Sequence, residues 1–150
     1  IRRSIPAFLD SKIHHNNMLS LVIAKIHANI AGYDAAVMLD DRGFVAELND
    51  TNLFMVKEGV VYTPYANACL PGITRQTFIH LLEENKISIL ERDLSLVEFI
   101  NADLVFATGT NGEITPVTEM DGREIKCDQK YLEELKDLFE AKLPSLCEPL

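Results

Sequence analysis

The chain has 150 residues, 47% apolar and 25% charged, with 14 Lys and Arg against 23 Asp and Glu and a net charge of −9. This is the composition of one globular domain over 1–150, and it excludes a disordered chain. Lys and Arg cluster only at Arg2-Arg3 and no run approaches the ~20 apolar residues of a bilayer helix, so neither nucleic acid nor a membrane is expected as a partner. The start at Ile1 instead of Met reads as a processed or partial chain.

In chain order, Leu19, Val22, Ile23, Ile26 and Ile30 recur at helical spacing and predict a helix over 16–30, with Gly32 as its C-terminal cap. Short β-type runs follow at 35–39, 44–47, 53–56 and 60–63. The tight turns Asp40-Asp41-Arg42-Gly43 and Lys57-Glu58-Gly59 make them an antiparallel meander. Leu70-Pro71-Gly72 then opens a helix over 74–84 with Phe78, Leu81 and Leu82 as its apolar stripe. After a strand at 87–91, Ser95 followed by Glu98 is the capping-box signal of a short helix. Strands at 104–107, 114–117 and 123–125 precede a last amphipathic helix over 131–143, carrying Leu132, Leu135, Leu138 and Phe139. The fold class is α+β, antiparallel strands with flanking helices.

Three cysteines, Cys69, Cys127 and Cys147, lie far apart without a C-x-x-C pair, so they form neither a zinc site nor a disulfide framework. They read as packed thiols in a reducing, cytoplasmic setting. Four histidines have no ligand spacing that stands out, and no metal is expected. Three segments beside strands carry more. Leu70-Pro71-Gly72-Ile73-Thr74-Arg75 puts a glycine and a hydroxyl at a helix start, where free N–H groups favour a phosphate, although on physics alone an ordinary turn and N-cap is the stronger reading. Thr108-Gly109-Thr110-Asn111-Gly112 follows a strand with small residues that can bring N–H groups close to an anion, and a plain Gly-rich turn also explains it. Glu47 ends a strand, either exposed or buried with a cationic partner. Composition alone gives no reason to single out Lys12.

Together these segments resemble the class IV pyridoxal-phosphate aminotransferases, whose members include branched-chain and D-amino-acid aminotransferases and aminodeoxychorismate lyase. The likeness is carried by the LPGITR loop at Leu70 to Arg75, the TGT-x-x-EITPV segment from Thr108 to Val117, and the LD-x-x-G-x-x-x-E stretch from Leu39 to Glu47. Asn52-Leu53-Phe54 and the turn Asp121-Gly122-Arg123 complete it, in family order, from about Arg2 to Ile125.

The resemblance implies the large C-terminal domain of a fold-type IV enzyme, strands in a pseudo-barrel, with pyridoxal 5′-phosphate as cofactor and an amino acid and a 2-oxo acid as substrates. It implies that Glu47 sits against the ring nitrogen, Leu70 packs on the ring, and Ile73, Thr74 and Thr110 bind the phosphate. Asn111 and Gly112 fall where the family binds the substrate carboxylate. Counting back from Asn16 puts Lys12 at the Schiff-base lysine of branched-chain members. Matching through Ala24-Lys25 puts His14 there instead, and His14 cannot do that chemistry. Met18 replaces the usual tyrosine, and Lys126-Cys127-Asp128-Gln129-Lys130 replaces a Gly-Pro-rich tail. The family's small N-terminal domain is absent, and the family pattern also implies a homodimer. Two functions follow: a branched-chain-type aminotransferase, inactive as the isolated chain, or a catalytically dead relative that binds cofactor or partners. Chemistry like that of aminodeoxychorismate lyase is a further alternative.

Overall fold

The computed structural model describes residues 1–4, 7, 9–13, 16–109 and 113–146. The candidates His14, Thr110, Asn111 and Gly112, and Cys147, lie outside the described residues. After helix α1 (Leu19–Ala31), strands β1 (Val37–Leu39) and β2 (Val45–Leu48) pair antiparallel across the Asp40–Gly43 turn. Asp40 holds that turn, its Oδ1 accepting the N–H groups of Arg42 and Phe44 at 3.0 and 2.9 Å. Strands β3 (Asn52–Lys57) and β4 (Val60–Pro64) pair across Glu58-Gly59, and α2 (Ile73–Glu84) leads to β5 (Ile89–Arg92). Next come α3 (Leu96–Ile100), β6 (Leu104–Gly109), β7 (Glu113–Pro116), β8 (Glu119–Met120), β9 (Arg123–Glu124) and α4 (Gln129–Leu146).

The central sheet has the order β5-β4-β3-β6-β7. Its one parallel step, β4 to β5, was not part of the expected meander. It arises because the chain crosses back through α2 before β5 is laid down. Alternation along β3 and β6 divides the core. Phe54, Val56, Leu104 and Phe106 face α2 and α4, meeting Phe78, Leu82, Leu132 and Leu135. Leu53, Met55, Val105 and Ala107 face the other way, towards Val45, Leu94, Phe99 and Met120. Phe54 and Phe106 stack at 5.2 Å with Phe78 edge-on to both, which fixes α2 on the sheet.

Helix α1 forms with the expected cap, Gly32 at φ +83° and the Tyr33 N–H bonding the Ala28 carbonyl at 2.9 Å. It starts three residues later than expected, at Leu19. Its face is the surprise. Leu19, Val22, Ile23, Ile26 and Ile30 are all exposed, while Ala24 and Ala28 are buried. Apolar periodicity shows that a helix has an apolar face; it does not say what covers that face.

The Ser95 capping box is present: the Ser95 N–H and hydroxyl both donate to Glu98 Oε2, at 2.8 and 2.9 Å. The Ser95 N–H is the largest influence holding the Glu98 carboxyl below its ordinary value; burial opposes it, and the Ser95 hydroxyl and Arg92 add to it. A carboxylate whose folded pKa is depressed stabilises the fold above its unfolded value and loses that contribution as the pH falls through the folded one. Glu98→Ala is therefore expected to cost about 1 kcal/mol at pH 7 and progressively less below about pH 4, measured by urea unfolding across pH.

Candidate active site

One end of the central sheet gathers the polar residues that the core excludes. β2 leads into β3 through a tight bend, across which the Leu48 N–H bonds the Thr51 carbonyl at 2.8 Å. Across that bend Glu47 and Asn52 are brought together, with Asn52 Nδ2 donating to Glu47 Oε2 at 3.2 Å. The same amide donates to the Leu70 carbonyl at 3.0 Å, which also accepts the Gly72 N–H at 2.8 Å. Both partners of Nδ2 are acceptors, so the orientation of the amide is determined.

Glu47 is only 6% exposed. Its Oε1 takes a hydrogen bond from Arg3 Nη1, and Arg3 Nε donates to Ser11 Oγ at 3.2 Å. Arg3 reaches the site because the first residues lie alongside β1. The Arg3 N–H bonds the Leu39 carbonyl at 2.8 Å, and the Leu39 N–H bonds the Ile1 carbonyl at 2.7 Å. Of the two environments open to Glu47, the structure has the buried one with a cationic partner. The ion pair offsets the cost of burying either charge alone. Burial pulls the Arg3 pKa down, and a guanidinium still stays charged at neutral pH.

The start of α2 forms the next wall. Gly72 is its N-cap, the Gln76 N–H bonds the Gly72 carbonyl at 2.9 Å, and among the described residues no side chain makes a cap hydrogen bond there. The N–H groups of Ile73, Thr74 and Arg75 thus belong to a positive helix end with no acidic residue in its first turn. Leu70 and Thr74 are half-buried and Ile73 is 83% exposed. Arg75 points inward, donating to the Pro64 carbonyl at 2.8 Å and to Glu91, which ties this turn to β4 and β5.

The end of β6 completes the arrangement. Thr108 is the register partner of Asn52, so the two share the sheet face that carries Phe54 and Phe106. Thr108 is buried, and its Oγ1 has no hydrogen-bond partner among the described residues, an exception for a buried hydroxyl. At Gly109 a Cβ would stand 2.7 Å from Thr51 Cγ2, so a side chain here would have to displace the Thr51 methyl in the bend before β3.

Lys12 is placed differently. Its side chain is 49% exposed, with Nζ 3.9 Å from Asp10 Oδ2, while its neighbour Ser11 is the residue turned in towards Arg3. Glu47, Leu70 and the first turn of α2 are brought together through Asn52, and Lys12 is not joined to them. Sequence reasoning gave no role to Arg3, Ser11, Asn52 or Thr108. Arg3 carried a signal as half of the lone basic pair, but its partner is 44 residues away. Cys69 packs with Ala46 and Ala68, and burial pushes its thiol pKa up, as expected of an inert packed cysteine.

Residues 2–120 match the family model for Amino-transferase class IV. The chain belongs to the class IV aminotransferase family. It is 54% identical over 124 residues to the branched-chain-amino-acid aminotransferase-like protein 2 of Arabidopsis thaliana, a match covering 83% of this chain and 22% of that protein. It is 43% identical over 142 residues to a putative branched-chain-amino-acid aminotransferase of Methanocaldococcus jannaschii, covering 93% of this chain and 49% of the relative. Among solved structures, the branched-chain amino acid aminotransferase from Escherichia coli superposes with a TM-score of 0.88 at 33% identity, covering 94% of this chain and 49% of that one. The branched-chain amino acid aminotransferase from Thermobaculum terrenum, solved in its PLP-form, also gives 0.88, at 31% identity, covering 95% and 48%. This class IV chain thus has the expected fold-type IV architecture and spans about half the length of these solved relatives, and less of the Arabidopsis protein.

Proposed function

We propose that this chain is the large, cofactor-carrying domain of an aminotransferase that uses pyridoxal 5′-phosphate to move an amino group between an amino acid and a 2-oxo acid. The observation that carries this reading is the buried Glu47 carboxylate, held on both oxygens and tied through Asn52 to an uncapped helix start. The residues present fit the cofactor's chemistry. A fixed carboxylate suits a protonated ring nitrogen, the first turn of α2 suits a phosphate, and the Thr108 hydroxyl is a donor without a partner among the described residues. Pyridoxal phosphate, when bound, supplies the electron sink that removal of a proton at the substrate Cα needs.

The chain's own residues then divide the work. Glu47 fixes charge at the ring nitrogen, and Ile73 and Thr74 anchor the phosphate with Thr110. Leu70 keeps water from the ring, and Asn111 and Gly112 receive the substrate carboxylate. Lys12 would supply the amine at the cofactor's aldehyde end and would carry the proton at Cα. Branched-chain substrates are supported by the names of the relatives. A homodimer is supported by the uncovered apolar row of α1, and a cytoplasmic location by the free thiols Cys69 and Cys127. A further domain is supported by relatives about twice this length, and the isolated 150 residues are expected to be inactive without it.

One observation favours the second reading, a relative that binds cofactor without turnover: Lys12 faces solvent beside Asp10. Borohydride reduction of the intact protein with pyridoxal phosphate, followed by peptide mapping, separates the two. A pyridoxyl adduct on Lys12 is expected. Binding without an adduct on any lysine would establish the non-catalytic relative.

A further inference from the structure

We propose that Asn52 is a positioning residue that sets the separation between the Glu47 carboxylate and the first turn of α2, and that Gly72 is the space that lets it do so. This rests on the cofactor reading above and adds to it a part for two residues that touch neither end of the reaction.

A cofactor gripped at its ring nitrogen and its phosphate needs two sites at a fixed spacing, because a misplacement of an ångström at one end is felt at the other. Here the two ends belong to different elements. Glu47 lies near the end of β2, and the N–H donors open α2 at Ile73, 26 residues further on. One carboxamide joins them, donating from a single nitrogen to Glu47 Oε2 at 3.2 Å and to the Leu70 carbonyl at 3.0 Å. Its base is rigid, since Asn52 is 6% exposed and begins the central strand β3, paired to Thr108 of β6. The Leu70 carbonyl is equally committed, accepting the Gly72 N–H that forms the turn into α2.

Gly72 is required by this contact and not by its backbone, whose φ of −57° suits any residue. A Cβ at Gly72 would overlap Asn52 Oδ1. Relieving that overlap means rotating the carboxamide, and any rotation withdraws Nδ2 from Glu47, Leu70 or both. Gly72 thus controls the orientation of a carboxylate on another element with which it shares no bond. A glycine kept only for the turn would have no such reach.

The test compares Asn52→Asp, which replaces the donor with an acceptor of the same shape, with Gly72→Ala in the intact protein. Bound pyridoxal phosphate is followed by absorbance across pH, and inorganic phosphate serves as a probe of the α2 end alone. Both variants are expected to shift the midpoint of the bound chromophore's protonation in the same direction. Both should also weaken pyridoxal phosphate binding by about tenfold or more, the loss of one hydrogen bond to a charged group, with inorganic phosphate held to within about twofold. A wild-type midpoint in either variant, or a Gly72→Ala effect on inorganic phosphate as large as that on the cofactor, would overturn the proposal. A cofactor-free readout separates this from the functional reading. In ¹⁵N-labelled protein, Glu47→Gln should move the Asn52 side-chain amide resonance and, through Leu70, the Gly72 backbone amide. Stationary resonances would sink the positioning role even if the cofactor binds. Moved resonances without any cofactor binding would sink the functional reading and leave the coupling standing.

Discussion

Glu47→Gln is expected to leave the protein folded and able to bind pyridoxal phosphate, while slowing proton removal at the substrate Cα by one to two orders of magnitude. The substitution keeps shape, but its single carbonyl oxygen can accept from Arg3 or from Asn52 and not from both, and it removes the charge that would hold a proton on the ring nitrogen. A charge-assisted hydrogen bond is worth about 1.5–3 kcal/mol, and felt only in the transition state it becomes that loss of rate. Single-turnover kinetics with an amino acid, beside the absorbance of the bound cofactor, give the two quantities separately. Equal half-reaction rates and equal spectra in the two proteins would remove Glu47 from the site.

Arg3→Leu is expected to be the most damaging single change to stability, about 3–5 kcal/mol, because it leaves the Glu47 carboxylate buried without its cation. A carboxylate so stranded takes up a proton more readily when folded, so the deficit should shrink as the pH falls. Arg3→Leu combined with Glu47→Gln should recover much of the loss, since no buried charge is then unpaired. Urea unfolding of the wild type, both single variants and the double variant closes this cycle. Additive losses would show that the two side chains do not share one interaction.

What could be read from the sequence was local. The Ser95-Glu98 box, the Gly32 cap and the Leu70-Pro71-Gly72 entry to α2 each depend on residues within one turn of each other, and each is present. The start of α2 was legible for the same reason. The non-local features were not. The parallel β4–β5 pairing depends on where α2 returns the chain, and the two-residue β8 is too short to show a period. The face of α1 depends on what lies beside it, not on its own spacing. Arg3 meets Glu47 only because residues 1 to 3 run beside β1, a register that no sequence spacing records. The Asn52 amide was visible within a motif, but its two partners were not, since Leu70 comes 18 residues later.

The most direct measurement is a titration of pyridoxal 5′-phosphate into the intact protein, recorded by absorbance and by the ³¹P resonance, with inorganic phosphate as competitor. Saturable binding of one cofactor per chain, displaced by inorganic phosphate and spectrally altered by Glu47→Gln, is the result expected of a ring held at Glu47 and a phosphate held at the start of α2. Absence of saturable binding, or binding indifferent to both phosphate and Glu47→Gln, would contradict it.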